Sequence, residues 1–336
     1  MRRLLTASLS ALALSGCVNM APDHERPALS TPLAYDADYR PDGTVVASKL
    51  TYAEWFADQR LVALIDTAVA NNRDLVAATA RIEQARAQYR IEDSRRLPTP
   101  VASASATRSR TPLGTVQAGA EGAITTDRFN VGVGVSSFEL DFWGRVANLS
   151  EAARAQYLAV EANQRAFYLS LIADTASTYF ELLETEAQIQ LAEATLESRR
   201  EGLRIAQRRL DAGVTSALPF RQAETLLTTA QQQLASERLA QARLRNQLAV
   251  LVGGTIPANL PQSLPMTAQN RGMALDAGTP SDLLLVRPDI QAAEEQLRAA
   301  RANIGAARAA FFPTISLTGN AGLASSDLGG LFGSDG

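Results

Sequence analysis

The sequence predicts a mainly α-helical protein with membrane β-strands, in which long antiparallel helices form a tube that joins a transmembrane β-barrel. Three observations predict this fold class. Residues 145–211 contain no proline and consist mostly of good helix formers. Segments within residues 128–141 and 314–323 alternate apolar residues with polar or small ones, as membrane strands do. A block of 26 positions also recurs 215 residues later, which indicates an internal repeat.

The chain begins with a segment typical of an exported precursor. Two arginines precede an apolar stretch over residues 4–14 that is too short to span a bilayer, so residues 1–16 are predicted to be a signal peptide. The small residues before Cys17, the only cysteine, resemble a bacterial lipobox, which implies lipidation of Cys17. Because residue 18 is Val18 and not aspartate, the resemblance favours the outer membrane. A free or buried cysteine is the alternative.

Composition excludes several functions. The formal net charge of −3 gives no basis for binding nucleic acid. The single histidine, His24, lies in a polar segment, so neither a metal site nor a Ser–His or Cys–His catalytic arrangement is supported. We therefore expect no cofactor and no enzymatic activity. No apolar stretch of 18 residues follows Cys17, so no transmembrane helix is predicted beyond the signal peptide.

The first third of the chain is predicted to change from an extended segment to helix and then to strand. Residues 17–50 lack periodicity and are expected to form a lipidated N-terminal tether. A helical pattern follows over residues 61–96, with a break at Asn71–Asn72. A strand is predicted at residues 99–109, because Pro98 disfavours helix and an alternating pattern comes after it.

The internal repeat aligns a helix and a strand with a second helix and strand. The matching blocks are Asp74–Ala78 with Asp289–Ala293, Ala85–Ala87 with Ala300–Ala302, and Pro98–Thr99 with Pro313–Thr314. In each copy a helix ends near a proline and an extended segment follows. The second copy is therefore predicted to contain a helix at residues 288–311 and a strand at residues 314–323.

The strand at residues 128–141 has the clearest membrane-type pattern. Its apolar residues alternate with small or polar ones, and the apolar set is Phe129, Val131, Val133 and Val135. A half-buried strand of a soluble sandwich has the same period and is the alternative. The loop over residues 108–128 is expected at the cell surface. After Ser136 the alternation changes phase, which indicates a bulge or the point where the strand leaves the membrane.

Residues 145–211 set the length scale, because 67 helical residues span about 100 Å. Apolar residues recur there at every seventh position, as in a coiled coil; they are Leu182, Ile189, Leu196, Leu203 and Leu210. Gly213 suits the end of this helix, and Thr215 or Ser216 can cap a return helix over residues 216–251. A soluble antiparallel coiled coil is the alternative, but it leaves the membrane-type strands unexplained.

Several blocks resemble the outer-membrane factor (TolC-like) family, specifically the lipoprotein branch that serves resistance-nodulation-division (RND) efflux pumps. The blocks are Trp55–Asp58, Phe138–Arg145, Arg209–Gly213 and Arg287–Ile290. The most specific one is Phe138–Arg145, which matches the junction between strand and long helix. One departure is Pro219, which stands where the family commonly has an acidic residue.

The resemblance implies a homotrimer that conducts solutes passively, with a periplasmic adaptor and an inner-membrane RND pump as partners and outer-membrane lipid around it. The number of strands agrees, because one chain offers four at most and three chains give twelve. The helix tip would contact the adaptor; its residues are Arg209, Leu210, Asp211, Gly213 and Ser216. The strand-to-helix junction comprises Asp141, Phe142, Trp143, Gly144 and Arg145.

The predicted organisation is a first structural repeat at residues 51–252, an equatorial linker at 253–280 and a second, incomplete repeat at 281–336. An equal second copy would extend well past residue 336, so a partial sequence is expected. A third strand without a fourth would leave an unpaired edge in the membrane. We therefore expect that residues 1–336 alone do not form a working channel.

The leading hypothesis is a conduit for efflux of drugs or other small toxic solutes. An outer-membrane duct for type I protein secretion or for metal efflux is an alternative that the tube itself does not distinguish. A lipid-anchored structural coiled coil is a third hypothesis, from a different class, and the alternating segments argue against it.

The anchor can be tested in the full-length protein. Replacing Cys17 by serine removes the acyl chains but leaves the strands, so we expect less assembled trimer with retained activity. Heat-modifiable trimers in outer-membrane fractions measure this. Complete release of the Cys17→Ser protein into the periplasm would contradict the barrel.

Overall fold

The structure is a computed structural model that describes residues 19–23, 45–46, 49–115, 121–269, 275–276 and 284–333. Cys17, the predicted signal peptide and most of the predicted tether lie outside these residues. The chain divides into two compact units. The sheet unit comprises Met1–Arg26, Gln84–Ala159 and Glu294–Gly336, and the helical unit comprises Pro27–Glu83 and Val160–Ala293.

The helices are α1 (Tyr52–Trp55), α2 (Gln59–Asn71), α3 (Arg73–Ser94), α4 (Arg145–Asp211), α5 (Ala217–Leu251) and α6 (Pro288–Ala309). The strands are β1 (Val45–Val46), β2 (Pro100–Pro112), β3 (Ala123–Glu139), β4 (Leu275–Asp276) and β5 (Ser316–Ser325). The units do not follow the predicted repeat boundaries, because α3 and α4 each contribute residues to both units. Helical structure also begins before residue 61, since α1 and the start of α2 precede it.

The internal repeat is confirmed by the helices that carry it. Both α3 and α6 are 22 residues long, and their first and last residues are separated by the predicted offset of 215 positions. A strand follows each helix, and both strands pair antiparallel with β3, in the order β2-β3-β5. The two copies therefore meet on the two sides of a single strand.

The break between α2 and α3 is held open by a side chain. Asn72 is buried, and its Oδ1 accepts the Leu75 N–H at 2.9 Å, so it caps the start of α3. Its amide nitrogen donates to the Leu251 carbonyl at the end of α5, also at 2.9 Å. At Gly253, with φ +80°, a Cβ would clash with the Asn71 carbonyl. The end of α5 and the turn that follows it therefore pack against the break at Asn71–Asn72.

The helical unit has its main core where α2 packs against α4 and α5. The buried members are Leu61, Leu64, Ile65, Ala68, Leu75, Leu171, Ala176, Tyr179, Leu248 and Val252. Two residues of the predicted seven-residue seam, Ile189 and Leu196, belong to a second cluster further along the hairpin, where they pack with Leu234. Leu182 packs against the main core. Arg238 and Arg245 of α5 pair with Glu193 and Glu186 of α4 and add cross-links between the two helices.

Asp58 is a fully buried carboxylate that joins three parts of the helical unit. Its Oδ2 accepts the Tyr179 hydroxyl of α4 at 2.6 Å, the Leu264 N–H at 3.0 Å and the Gln269 amide at 3.1 Å. Its Oδ1 accepts the Arg60 N–H at 2.9 Å and caps α2. Burial alone would raise the pKa of Asp58, but these four donors together hold it below its ordinary value.

The strands β2 and β3 are longer and closer together in sequence than predicted. β2 runs to Pro112 and β3 starts at Ala123, so the connection is about half as long as the loop expected at residues 108–128. The register pairs Arg108 with Asp127 and Thr111 with Ile124. This pairing extends the strands because it adds ladder hydrogen bonds and the Arg108–Asp127 ion pair.

The change of phase after Ser136 is a β-bulge. Val135 pairs with Gly319 and Phe138 with Leu317, so β3 uses one residue more than β5 over this interval. Ser137 adopts φ +70°, the left-handed conformation that a bulge of this kind requires. The extra residue keeps Phe138 on the same face as Val135.

One face of the sheet is apolar and the other is polar or small. The apolar face carries Ala102, Ala104, Ala106, Phe129, Val131, Val133, Val135, Phe138, Leu317, Ala321 and Leu323. The opposite face carries Ser103, Ser105, Thr107, Asn130, Gly132, Gly134, Thr318 and Asn320. Asn130 donates to the Ser105 hydroxyl at 3.2 Å on this polar face. Within the described residues, no helix has both the length and the hydropathy of a membrane span.

The helices of the sheet unit pack through alanines, and the N-terminal residues 19–23 lie against them. Asn148 of α4 donates to the Asn19 side chain at 2.9 Å, and Arg301 and Arg308 of α6 donate to backbone carbonyls of this segment. A Cβ on Gly305 of α6 would come within 2.7 Å of the Ala21 nitrogen. Glycine at this position therefore permits the close approach.

Asp58→Asn tests the buried carboxylate. Because the folded pKa lies below the unfolded one, the carboxylate stabilises the fold above about pH 4, and this contribution is lost as the pH falls through the folded pKa. Asparagine keeps the shape without the charge, so we expect a loss of about 2 kcal/mol at pH 7 and a smaller difference at pH 3. Thermal unfolding at both pH values measures this. Asp174→Asn, at an exposed i,i+4 hydrogen bond, is the control, and an equal loss there would contradict the role of burial.

Gly305→Ala tests the packing of residues 19–23. The added methyl group meets Ala21, so we expect a loss of about 1–3 kcal/mol and faster proteolysis of this segment. Gly202→Ala is the matched control because a Cβ there meets nothing within 4 Å, and it should add up to about 1 kcal/mol. Stabilisation by both substitutions would show that the segment does not pack on α6.

Candidate functional site

The strand-to-helix junction is built from charged side chains that face each other across a short turn. Arg145, the first residue of α4, makes a two-pronged ion pair with Glu139, the last residue of β3. Asp141 accepts the Ala147 N–H at 2.7 Å and so satisfies one free donor of the first turn of α4. These two contacts fix the direction in which the long helix leaves the sheet.

Gly144 and Asn148 complete the turn. Gly144 adopts φ +72°, which a residue with a side chain rarely takes. The Asn148 side chain donates to the Gly144 carbonyl at 2.7 Å. The predicted junction residues Asp141, Gly144 and Arg145 therefore have geometric roles in one turn.

Trp143 connects the junction of the first repeat to the second repeat. Its ring stacks on Phe312 at 4.7 Å between centroids, with an angle of 25° between the planes. Its indole N–H donates to the Pro313 carbonyl at 3.1 Å. Phe142 lies beside it and lines a cavity of about 520 Å³ together with Asn19 and Phe138. The junction thus places aromatic rings next to the N-terminal segment at residues 19–23.

The tip of the α4–α5 hairpin has the predicted glycine turn. Gly213 has φ +69°, its N–H donates to the Leu210 carbonyl, and the Val214 N–H donates to the Arg209 carbonyl, at 2.9 and 3.0 Å. This pattern satisfies carbonyl groups at the end of α4. Arg209, Asp211, Gly213 and Ser216 are exposed, and Leu210 is half-buried.

The observed N-cap of the return helix differs from the prediction. Ser216 occupies the N-cap position of α5 with extended backbone, but its side chain makes no capping hydrogen bond. α5 begins at Ala217, and Pro219 falls in its first turn, where a missing N–H is harmless. The Ser216 hydroxyl therefore makes no hydrogen bond to the first turn of α5.

Two features of the structure were not predicted from the sequence. Asp58 belongs to a block that carries the family resemblance, but its partner Tyr179 lies 121 residues away and no local pattern links them. Gly305 sits in a helix as Gly202 does, and only the contact with Ala21 distinguishes the two positions. Within the described residues, no group of three His, Cys, Asp or Glu side chains could hold a metal ion.

Comparison with known families places these features in context. The family model described as "Outer membrane efflux protein" matches residues 64–254 and 279–335. These ranges include both predicted sites, the junction and the hairpin tip.

Individual proteins match over nearly the whole chain. The solvent efflux pump outer membrane protein SrpC of Pseudomonas putida is 44% identical over 330 residues, covering 96% of this chain and 69% of its own. The cation efflux system protein CusC of Escherichia coli K12 is 39% identical over 327 residues, covering 96% and 69%.

Solved structures show the same arrangement. The open state of the Neisseria gonorrhoeae MtrE outer membrane channel has a TM-score of 0.79 at 39% identity, covering 94% of this chain and 69% of that one. A membrane protein from Pseudomonas aeruginosa has a TM-score of 0.80 at 35% identity, covering 94% and 70%. The fold is therefore TolC-like, and the chain belongs to the outer membrane efflux protein family.

Proposed function

We propose that the protein is the outer-membrane duct of a tripartite efflux system, which passively conducts drugs or other small toxic solutes received from an inner-membrane RND pump. The observation that carries the proposal is the direct continuation of an apolar-faced sheet into a helix of 67 residues. The similarity to efflux channels over more than 90% of the chain supports it. A duct of this kind needs no catalytic centre, because the pump supplies the energy.

Closure of the barrel requires more strands than the described part of this chain supplies. β2 and β5 are the two edges of the three-stranded sheet, so each has a row of backbone groups without a partner there. Unpaired backbone groups in a bilayer cost several kcal/mol each, so these edges must pair within a larger assembly. A homotrimer meets this demand and surrounds a polar lumen with the Ser- and Gly-rich face of each sheet.

The lipid anchor would lie close to the junction. Asn19 contacts Asn148 in the first turns of α4, and Cys17 is two residues away, a reach of about 7 Å at most. Acyl chains on Cys17 would then enter the membrane beside Trp143, and aromatic residues of this kind favour the membrane–water boundary. Lipidation thus adds a second hold at the level where the helices leave the sheet.

The hairpin tip is the surface we assign to the periplasmic adaptor. Its backbone is fixed by the Gly213 turn, while Val214 is 77% and Leu218 64% exposed beside the charged side chains of Arg209 and Asp211. Neighbouring apolar side chains that are exposed at the end of a hairpin are typical of a surface that a partner protein covers. The free Ser216 hydroxyl adds a hydrogen-bonding group to the same surface.

The tip assignment is tested with Arg209→Glu in the full-length protein. Reversing one exposed charge should disturb a partner that matches this surface but should leave the fold intact. We therefore expect normal trimer levels and a loss of drug tolerance of about fourfold or more. Site-specific cross-linking to the adaptor measures the contact directly. Arg199→Glu, an exposed charge on α4 about three turns from the tip, is the control.

The results separate the proposed roles. Retained drug tolerance and cross-linking in Arg209→Glu would remove the tip from the adaptor contact. Deletion of the gene should raise sensitivity to organic solvents and drugs. Sensitivity to metal cations alone would favour a metal-efflux duct, and loss of a secreted protein would favour type I secretion.

A further inference from the structure

We propose that Arg108 and Arg110, at the loop end of the apolar sheet face, bind the phosphate groups of outer-leaflet membrane lipid. The inference rests on the proposed function, because it requires the apolar face to be the outer face of a membrane barrel. It concerns a contact with lipid that conduction itself does not need.

The register places both arginines on the apolar face and not on the lumen side. Ala106 is directly opposite Phe129, and Arg108 and Asp127 are the next pair on the same face. Arg110 follows two residues later, opposite Thr125. Because side chains alternate along a strand, no rotation of the sheet moves these residues to the polar face without moving the valines too.

The length of the apolar band puts the arginines at a membrane boundary. The Leu140 N–H donates to the Ile315 carbonyl at one end of the band, and Phe129 pairs with Ser325 at the other. Ten strand residues separate these ends, about 33 Å along the strand and about 25 Å in height at the usual tilt. The apolar belt of outer-membrane barrels is about 25 Å tall. Arg108 is therefore the first residue of β2 on this face that lies beyond the belt.

Arg108 is held in position by a neighbour. Its Nε and Nη2 donate to the two carboxylate oxygens of Asp127 at 2.6 and 2.7 Å, in a two-pronged arrangement. The side chain of Arg108 is nevertheless 74% exposed. The remaining edge of its guanidinium thus points away from Asp127 in a fixed orientation, and a planar guanidinium suits phosphate oxygens.

Arg110 supplies the net charge. It lies about 7 Å from Arg108 along the strand and has no carboxylate partner among the residues that the structure describes. The charges of Arg108, Arg110 and Asp127 on this face sum to one positive charge per chain. An arginine at this depth lies among lipid phosphates, and the attraction between them offsets the cost of placing a charge near the apolar belt.

The test compares lipid binding by variants of the full-length protein in detergent. The probes are diphosphoryl lipid A and the same lipid without its phosphates, with bound lipid counted by native mass spectrometry. We expect Arg110→Gln and Arg108→Gln to weaken diphosphoryl lipid A binding about tenfold, and Arg110→Lys to retain most of it. Binding of the dephosphorylated lipid should be weak and equal for all proteins.

Arg128→Gln is the matched control. Arg128 is exposed and next to Asp127 in sequence, but it lies on the polar face beside Asn130. Unchanged lipid A binding by Arg110→Gln, or an equal loss in Arg128→Gln, would overturn the proposal. Trimer assembly and drug tolerance of the unmodified protein are measured in parallel, because their failure would contradict the proposed function and not the lipid site alone.

Discussion

The polar side chains of this protein are placed by the need to pair backbone groups at the ends of its long helices. The first N–H groups and last carbonyls of each helix need partners from elsewhere. Asp58 caps α2, Asn72 caps α3 and receives the end of α5, and Asp141 caps α4. Gly213 closes the end of α4 by its backbone alone. These caps fix where each helix turns, and the positions of the junction and the tip follow from them.

The two units use different means to bring helices together. The helical unit buries large side chains around Tyr179 and adds a carboxylate that stays charged because four donors surround it. The sheet unit packs helices through alanines such as Ala152 and Ala302, which allow close approach with little apolar area. In the first case area and hydrogen bonds stabilise the contact, and in the second the fit of small surfaces does.

Much of the fold could be predicted because its signals are local or repeated. The correspondence between α3 and α6 follows from the repeat at an offset of 215 residues, and α4 follows from a long stretch of helix formers. The hairpin tip could be predicted because Gly213 marks a turn that few other residues can form, whereas the junction was identified by the resemblance of the block Phe138–Arg145. Contacts between distant residues could not be found this way. The Asp58–Tyr179 hydrogen bond and the true extent of β2 depend on pairing that no single segment encodes.

The bulge at Ser136–Ser137 lets β3 carry an odd extra residue without changing which side chains lie on each face of the sheet. Removing one residue between Val135 and Phe138 would leave a regular ladder in which Phe138 keeps its face, because the partners of these two residues, Gly319 and Leu317, are two positions apart in β5. Removing both intervening residues would place Phe138 directly after Val135 and would move it, and every side chain from there to the junction, to the other face of the sheet. The bulge therefore acts as a phase correction between two modules, and it lets a strand with a period of two meet the turn before α4 in the correct orientation.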